Sequence, residues 1–267
     1  MKAQDAKISV FDHGFLYGDG VYDTLKTCDG RVFEVEGHLI RLEKSAKRLG
    51  LKLPYEKIKI AKMIENLVKK NGTGELRIRV TLTRGVNNYD FGRCSKPTLL
   101  IHTVPLKIES VEIYRKGVDV ITVNLERLAP EAKTISLLPL ILANREMLKK
   151  KAYEALFVDA GGFVREGTIT NVFMIRDGVL MTPKNKILEG TARRAVIDLA
   201  RGAGMKIKVA DFKKGALAKA DEIFISNTTR KIIPVKKIDG IRIGRGGVGE
   251  YTETLMKLFD EYIQKNS

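Results

Sequence analysis

From Leu76 to Leu82 the chain alternates without a break. Arg77, Arg79 and Thr81 fall on one side, and Ile78, Val80 and Leu82 on the other. A side-chain period of two is what a strand with one buried face requires. Upstream the period changes. Apolar residues recur at Leu39, Leu42, Ala46 and Leu49, a helical spacing over 38–49, and a second helix is predicted from about 56 to 70, stopping near Asn71-Gly72.

The remaining chain mixes the same two periods without strict βα alternation, so the fold class is α+β with two lobes. A short strand is expected at 8–11, then a loop punctuated by Gly14, Gly18 and Gly20. A strand at 21–27 leads into Asp29-Gly30, a hairpin signal. Further strands are expected at 98–104, 118–123, 154–159, 171–176, 179–182, 206–210 and 222–226. Residues 124–134 read as a connection. Helices are expected at 137–151, after Gly190, at 215–219 and at 249–264. Pro139 falls in the first turn of its helix, where proline is tolerated. There are no internal repeats and no low-complexity segment.

A chain of 267 residues can bury a substantial core, as one large or two medium domains. Lys+Arg 48 against Asp+Glu 32 leaves a formal charge of +16. That balance raises a non-enzymatic alternative, a basic nucleic-acid-binding protein. The distribution argues against it. Basic runs are short, as at Lys149-Lys150-Lys151 and Lys236-Lys237, and no basic stripe is interleaved with aromatics. The expectation is a solvated, lysine-rich surface with no nucleic-acid partner. Cys28 and Cys94 lack metal-ligand spacing, so two reduced thiols and no metal site are expected. No apolar run approaches the roughly 20 residues of a membrane span. The start, MKAQDAKIS, is too polar for a signal peptide. A cytoplasmic protein without a membrane partner is expected.

Three features of the second half suit one cofactor. Lys133, in AKTIS, offers an amine that can form a Schiff base with an aldehyde. Glu166 opens EGTITNVFMI, and a carboxylate can hold a pyridinium nitrogen protonated. LEGTARRAV carries a helix start at Gly190, and a helix N-terminus can hold a phosphate. Pyridoxal phosphate needs all three. Around them YGDGVYDTLKT, HLIRLEKSAKRL, AKTISLLPLILANRE, YEALFVDAGGFVREGTITNVF, ILEGTARRAVIDLA and ADEIFISNTTRKIIPV follow in the order of a known family. The chain resembles the class IV aminotransferases, pyridoxal-phosphate enzymes of fold type IV. That family includes branched-chain aminotransferases, D-amino-acid aminotransferases and aminodeoxychorismate lyases.

The resemblance covers nearly the whole chain and implies a two-lobed enzyme. A smaller N-terminal α/β lobe would span 1–121 and a larger cofactor-binding lobe 122–267, with a mixed β-sheet or barrel core. The connection would lie at about 122–132. The family's active site lies between the lobes and is completed by a loop of a partner subunit, so the resemblance implies a homodimer. One departure is at the N-terminus. The strand pair with an Asn-Gly turn that usually precedes the segment matching AKISVFD is absent, either as a dispensable edge strand or through a misplaced start.

Residue by residue, the resemblance makes Lys133 the internal-aldimine lysine and the base that moves the substrate's α-proton. It pairs Glu166 with the ring nitrogen. It gives the phosphate to Arg41 in HLIRL, to the backbone of Thr191 and Ala192, and to Thr228 in SNTT. Tyr22 matches an aromatic position facing substrate, Thr229 offers a backbone N–H, and Arg77 or Arg79 would bind a substrate carboxylate. Plainer readings stand beside each: surface residues for Lys133, Glu166 and Arg41; turn chemistry for the threonines; a core strand residue for Tyr22; an edge-strand salt bridge for the arginines. Gly244, Gly246 and Gly249 fit GxGxxG, but only 18 residues follow Gly249, so no acid lies about 20 residues on and the run reads as a turn before the last helix.

The branch is less legible. The tyrosines usual in branched-chain enzymes at Leu138 and Arg77 are absent, and so is the Arg–His pair of some D-amino-acid enzymes, which would align with Tyr89 and Phe91. The expected activity is transfer of an amino group between an amino acid and a 2-oxo acid such as 2-oxoglutarate. Aliphatic L-amino acids are slightly favoured and D-amino acids stay open. The alternative is an aminodeoxychorismate lyase releasing pyruvate.

Overall fold

A computed structural model describes residues 2–72, 74–87, 89–91 and 96–266. Cys94 lies outside the described residues; Cys28 is a free thiol. The chain packs as two compact units, the first from Met1–Lys107, Ala132–Leu137 and Asn266–Ser267, the second from Ile108–Glu131 and Leu138–Lys265.

The first unit runs α1 (His13–Tyr17), β1 (Gly20–Cys28), β2 (Arg31–Val32), α2 (Val35–Arg48), α3 (Lys57–Lys70), β3 (Leu76–Thr83) and β4 (Thr98–Pro105). Its antiparallel sheet has the order β2-β1-β3-β4. Asp29 and Gly30 both take left-handed backbone (φ 51° and 75°), as a two-residue hairpin turn demands. The inner sheet face contributes Val21, Leu25, Ile78, Val80 and Leu82 to a core shared with Leu39 and Leu42 of α2 and Ile60 and Ile64 of α3. The pleat therefore places Tyr22, Thr24, Arg77, Arg79 and Thr81 on the other face, with Thr24, Arg79 and His102 side by side across three strands.

The strand expected at 8–11 does not form. Ser9 and Asp12 satisfy backbone groups locally instead: Phe11 N–H donates to Ser9 Oγ, and Asp12 caps α1 through Gly14 N–H at 2.8 Å.

The second unit runs α4 (Val111–Lys116), β5 (Val118–Val123), α5 (Leu138–Lys150), β6 (Glu154–Val158), β7 (Val164–Gly167), β8 (Asn171–Arg176), β9 (Val179–Thr182), α6 (Thr191–Gly202), β10 (Lys206–Val209), a 3₁₀ turn at Lys214–Lys219, β11 (Glu222–Asn227), β12 (Lys231–Ile238), β13 (Ile241–Arg242) and α7 (Glu250–Lys265). Its sheet has the order β10-β9-β8-β11-β12-β5-β6-β7, with β13 on β12. The pairs β10–β9, β12–β5 and β5–β6 are parallel and the rest antiparallel. Val120, Leu156, Val172, Ile225 and Ile233 sit in one core beneath it. The GxGxxG run falls between β13 and α7, outside any βαβ unit.

The boundary expected at 121/122 falls elsewhere. β5 pairs with β6 and β12, which puts 118–123 in the second unit. Residues 132–137 return to the first, because Tyr22 N–H donates to the Lys133 carbonyl at 2.8 Å and Ile135 N–H to the Gly20 carbonyl at 3.0 Å. Three strands were not expected: β7, β12 and β13. β12 hides because Pro234 removes a ladder donor, a mark against a strand in sequence. Among the described residues no helix is long and apolar enough to cross a membrane.

Phe173 and Phe224 stack at 4.8 Å, both fully buried. Phe173→Ala should lower stability by about 3–5 kcal/mol, read from urea denaturation; a loss below about 1 kcal/mol would mean the site collapses around the missing ring.

Candidate active site

Lys133 sits on the segment that pairs with the start of β1. That approach needs Gly20: a Cβ there would stand 2.6 Å from the Leu82 carbonyl oxygen and 2.9 Å from the Ile135 side chain. Ser45 of α2 fixes the segment from the other side, accepting from Lys133 N–H at 3.1 Å. The lysine is half-buried, with Nζ 4.9 Å from the centre of the Tyr22 ring. The Arg79 guanidinium lies 3.7 Å from the same ring centre, a cation–π contact. Tyr22 is buried on β1, so the strand role and the substrate-facing role are compatible.

Arg79 donates to Thr81 Oγ1 at 3.2 Å, and among the described residues neither Arg77 nor Arg79 meets a carboxylate. The edge-strand salt bridge is thus not what holds them. Burial pushes Arg79 below the ordinary arginine value; Tyr22 opposes this and the charge of Arg77 adds to it. Burial, then Arg79 and Arg77, push His102 down. Among the described residues, no carboxylate compensates the positive charge of Arg77 and Arg79 on this face.

Arg41 is not an exposed arginine. Its guanidinium bonds both oxygens of Asp23, Nε to Oδ2 at 2.9 Å and Nη2 to Oδ1 at 2.7 Å. His38 Nδ1 lies 2.8 Å from Asp23 Oδ1, and Thr24 N–H donates to the same oxygen at 2.7 Å. Asp23 has no exposed surface. Burial alone would raise its carboxyl, but Arg41 and His38 outweigh that and hold it well below the usual carboxylate range. Burial pushes His38 down, against the pull of Asp23. His38, Arg41 and Ser45 lie three and four residues apart, one stripe of α2. Asp23 and His38 were not singled out from sequence. The signal was present: Asp23 falls between Val21 and Leu25 on the inward period of β1, where a carboxylate needs a cation.

In the second unit Glu166 is buried on β7. Arg127 Nη1 donates to one oxygen at 2.6 Å, and Leu188 N–H to the other at 2.9 Å. The following turn is tied to Glu154, which accepts from the hydroxyls of Thr168 (2.5 Å) and Thr170 (3.0 Å). Arg127 was also missed, lying in a stretch read only as a connection.

α6 starts after Gly190, which has no side chain to cap the first-turn N–H groups of Thr191 and Ala192. A Cβ at Gly190 would collide with Asn171 Oδ1. Thr191 and Thr228 bring their hydroxyls within 3.2 Å of each other at this helix start. Ser226 of β11, two residues before Thr228, has a buried hydroxyl with no hydrogen-bond partner among the described residues. Thr229 does make turn chemistry, its hydroxyl donating to Asn227 Oδ1 at 3.2 Å. The first unit thus collects Tyr22, Arg41, Arg77, Arg79 and Lys133, and the second Glu166, Thr191, Ala192, Thr228 and Thr229.

Asp23→Asn keeps the shape and removes the charge that Arg41 meets across both carboxylate oxygens. Stability at neutral pH should fall by about 3–5 kcal/mol. Because the folded carboxyl is depressed, its contribution is complete above the unfolded value, about 3.9, and is lost as pH falls through the folded one. The gap between wild type and variant should therefore close below about pH 4, measurable by urea unfolding at a series of pH values.

The family model described as amino-transferase class IV matches residues 20–238. A Methanocaldococcus jannaschii protein, provisionally described as a branched-chain-amino-acid aminotransferase, is 37% identical over 271 residues, covering 98% of this chain and 93% of the relative. The D-alanine aminotransferase of Staphylococcus epidermidis is 33% identical over 269 residues (99% and 95%). The aminodeoxychorismate lyase of Bacillus subtilis is 33% identical over 274 residues (99% and 92%). Among solved structures, the T.th. branched-chain amino acid aminotransferase with pyridoxamine 5′-phosphate superposes at a TM-score of 0.94. It has 27% identity, over 100% of this chain and 92% of that one. By this match over most of its length, the chain belongs to the class IV aminotransferases.

Proposed function

We propose that this chain is a pyridoxal-phosphate-dependent aminotransferase moving an amino group between an amino acid and a 2-oxo acid such as 2-oxoglutarate, with Lys133 as its catalytic amine. The observation that carries the reading is the placement of the Lys133 amine and the Arg79 guanidinium on one buried tyrosine ring, 4.9 and 3.7 Å from its centre. One group suits a carbonyl, the other a carboxylate.

The residues fit the cofactor. The start of α6, without a side-chain cap, and the Thr191 and Thr228 hydroxyls 3.2 Å apart beside it supply donors for a phosphate. Pyridoxal phosphate supplies an aldehyde that condenses with amines and a pyridinium ring that takes up the electron pair left when a Cα–H bond breaks. In this reading Arg41, held in orientation by Asp23, joins Thr191, Ala192 and Thr228 at the phosphate. Glu166 keeps the ring nitrogen protonated. Lys133 takes the proton from the substrate's α-carbon and returns it. Arg79, with Arg77 beside it, binds the substrate carboxylate, and a half-buried cation that meets no carboxylate among the described residues is what such a ligand would compensate. Tyr22 walls the substrate, and Thr229 lends its N–H.

Aliphatic L-amino acids are the favoured donors and D-amino acids the runner-up. The lyase reading is separated by the first half-reaction: a transferase retains the amino group on the cofactor after a donor alone, whereas a lyase does not. We also propose that the chain works as a homodimer. Phe15, Tyr89 and Phe91 of the first unit are 71%, 64% and 72% exposed, an apolar group of the kind that partner subunits cover. Light scattering on a sizing column reads this.

Borohydride reduction of the holoprotein should fix the cofactor to Lys133, and Lys133→Ala should abolish both labelling and the visible absorbance; a label on another residue refutes the assignment. Glu166→Gln should retain the cofactor but slow removal of the α-proton by about 10²-fold or more, seen by stopped-flow in the amine half-reaction. Near-normal turnover would remove Glu166 from its role. A panel of L- and D-amino acids with 2-oxoglutarate decides donor chirality.

A further inference from the structure

We propose that Arg127 is a positioning residue for Glu166, keeping that carboxylate anionic and oriented so that the cofactor's ring nitrogen stays protonated; the inference rests on the pyridoxal-phosphate reading above. Arg127 lies in ERLAPEAK, six residues before Lys133 in the chain. Its guanidinium is 2.6 Å from Glu166 Oε1, and both side chains are nearly out of solvent, 12% and 6% exposed. Leu188 N–H holds Oε2. These two contacts, one on each oxygen, fix the plane of the carboxylate.

The neighbouring charges are engaged elsewhere. Arg165 bonds Asp159 and Asp211. Lys186 reaches Glu126 at 3.4 Å and Asp159 at 3.8 Å. Arg193 donates to the Pro183 carbonyl and sees Glu166 only through space, along with Glu189. Arg127 meets Glu166 directly, in a charge-assisted hydrogen bond.

The chemistry follows from that contact. A ring nitrogen and a carboxylate can share a proton in two ways, as pyridinium–carboxylate or as pyridine–carboxylic acid. A guanidinium does not lose its proton. Its permanent charge stabilises the carboxylate and so favours the first arrangement. Arg127 need touch neither cofactor nor substrate to do this.

The test loads wild type, R127Q, R127K and E166Q with pyridoxal phosphate carrying ¹⁵N in the ring, and follows the ring nitrogen by NMR against pH. Wild type should stay protonated, and E166Q supplies the unprotonated reference. R127Q should move toward that reference, with α-proton removal slowed about 10–100-fold, the scale for outer partners of functional groups; R127K should restore the signal. A wild-type ¹⁵N profile in R127Q overturns the assignment, since a merely structural arginine would leave the nitrogen unchanged. If R127Q is too unstable to load, R127M against R127K asks the same question of a neutral and a cationic side chain. Failure of borohydride to label Lys133 in wild type would instead sink the underlying reading.

Discussion

A carboxylate with no access to water cannot stay charged unless something nearby makes it worthwhile, and Asp23 is in that position. Its partners are Arg41 and His38, two residues of one helical stripe. The same stripe continues to Ser45, whose hydroxyl holds the backbone of Lys133. One buried ion pair thus sets the rotation of α2 against β1. That rotation aims the arginine and pins the lysine segment. Replacing the pair by apolar residues could preserve the packing, but nothing would then orient the guanidinium.

The second unit repeats the device with the polarity of its task reversed. In the first unit the acid serves to hold a cation. In the second, Arg127 holds an acid, Glu166, whose turn is in turn anchored on buried Glu154. The helix start at Gly190 completes the set through absence: no capping side chain, and no room for one against Asn171. Under the proposed function, groups that would meet a ligand are each held by a partner that need not meet it, so little ordering would be left to be done when a ligand arrives.

Local pattern carried much of this. The alternation of 76–82, the hairpin at Asp29-Gly30, the spacing of 38–49 and the helix after Gly190 all rest on interactions within a few residues, and they stand in the structure as read. Lys133, Glu166 and Gly190 could be proposed from sequence because their types and order suit one cofactor. Failures cluster where the decisive partner is distant. β7 is a four-residue strand of mixed polarity that β6 makes a strand. β12 contains a proline that a paired sheet tolerates. The segment at 8–11 is the exception, since what replaces a strand there is local: Ser9 Oγ accepts from Phe11 N–H and Asp12 caps α1. The lobe boundary was misplaced because 132–137 doubles back to β1 through backbone hydrogen bonds, which leave no mark in side-chain type.

The sequence by itself therefore determined the α+β class, most of the elements and the family, since periodicity and motif order are properties of neighbouring positions. Only the tertiary structure decided which charges compensate which. That Asp23 answers Arg41 and that Arg127 answers Glu166 are facts about groups 18 and 39 residues apart. Their energies depend on burial and on distances of about 3 Å, and neither quantity exists until the chain has folded.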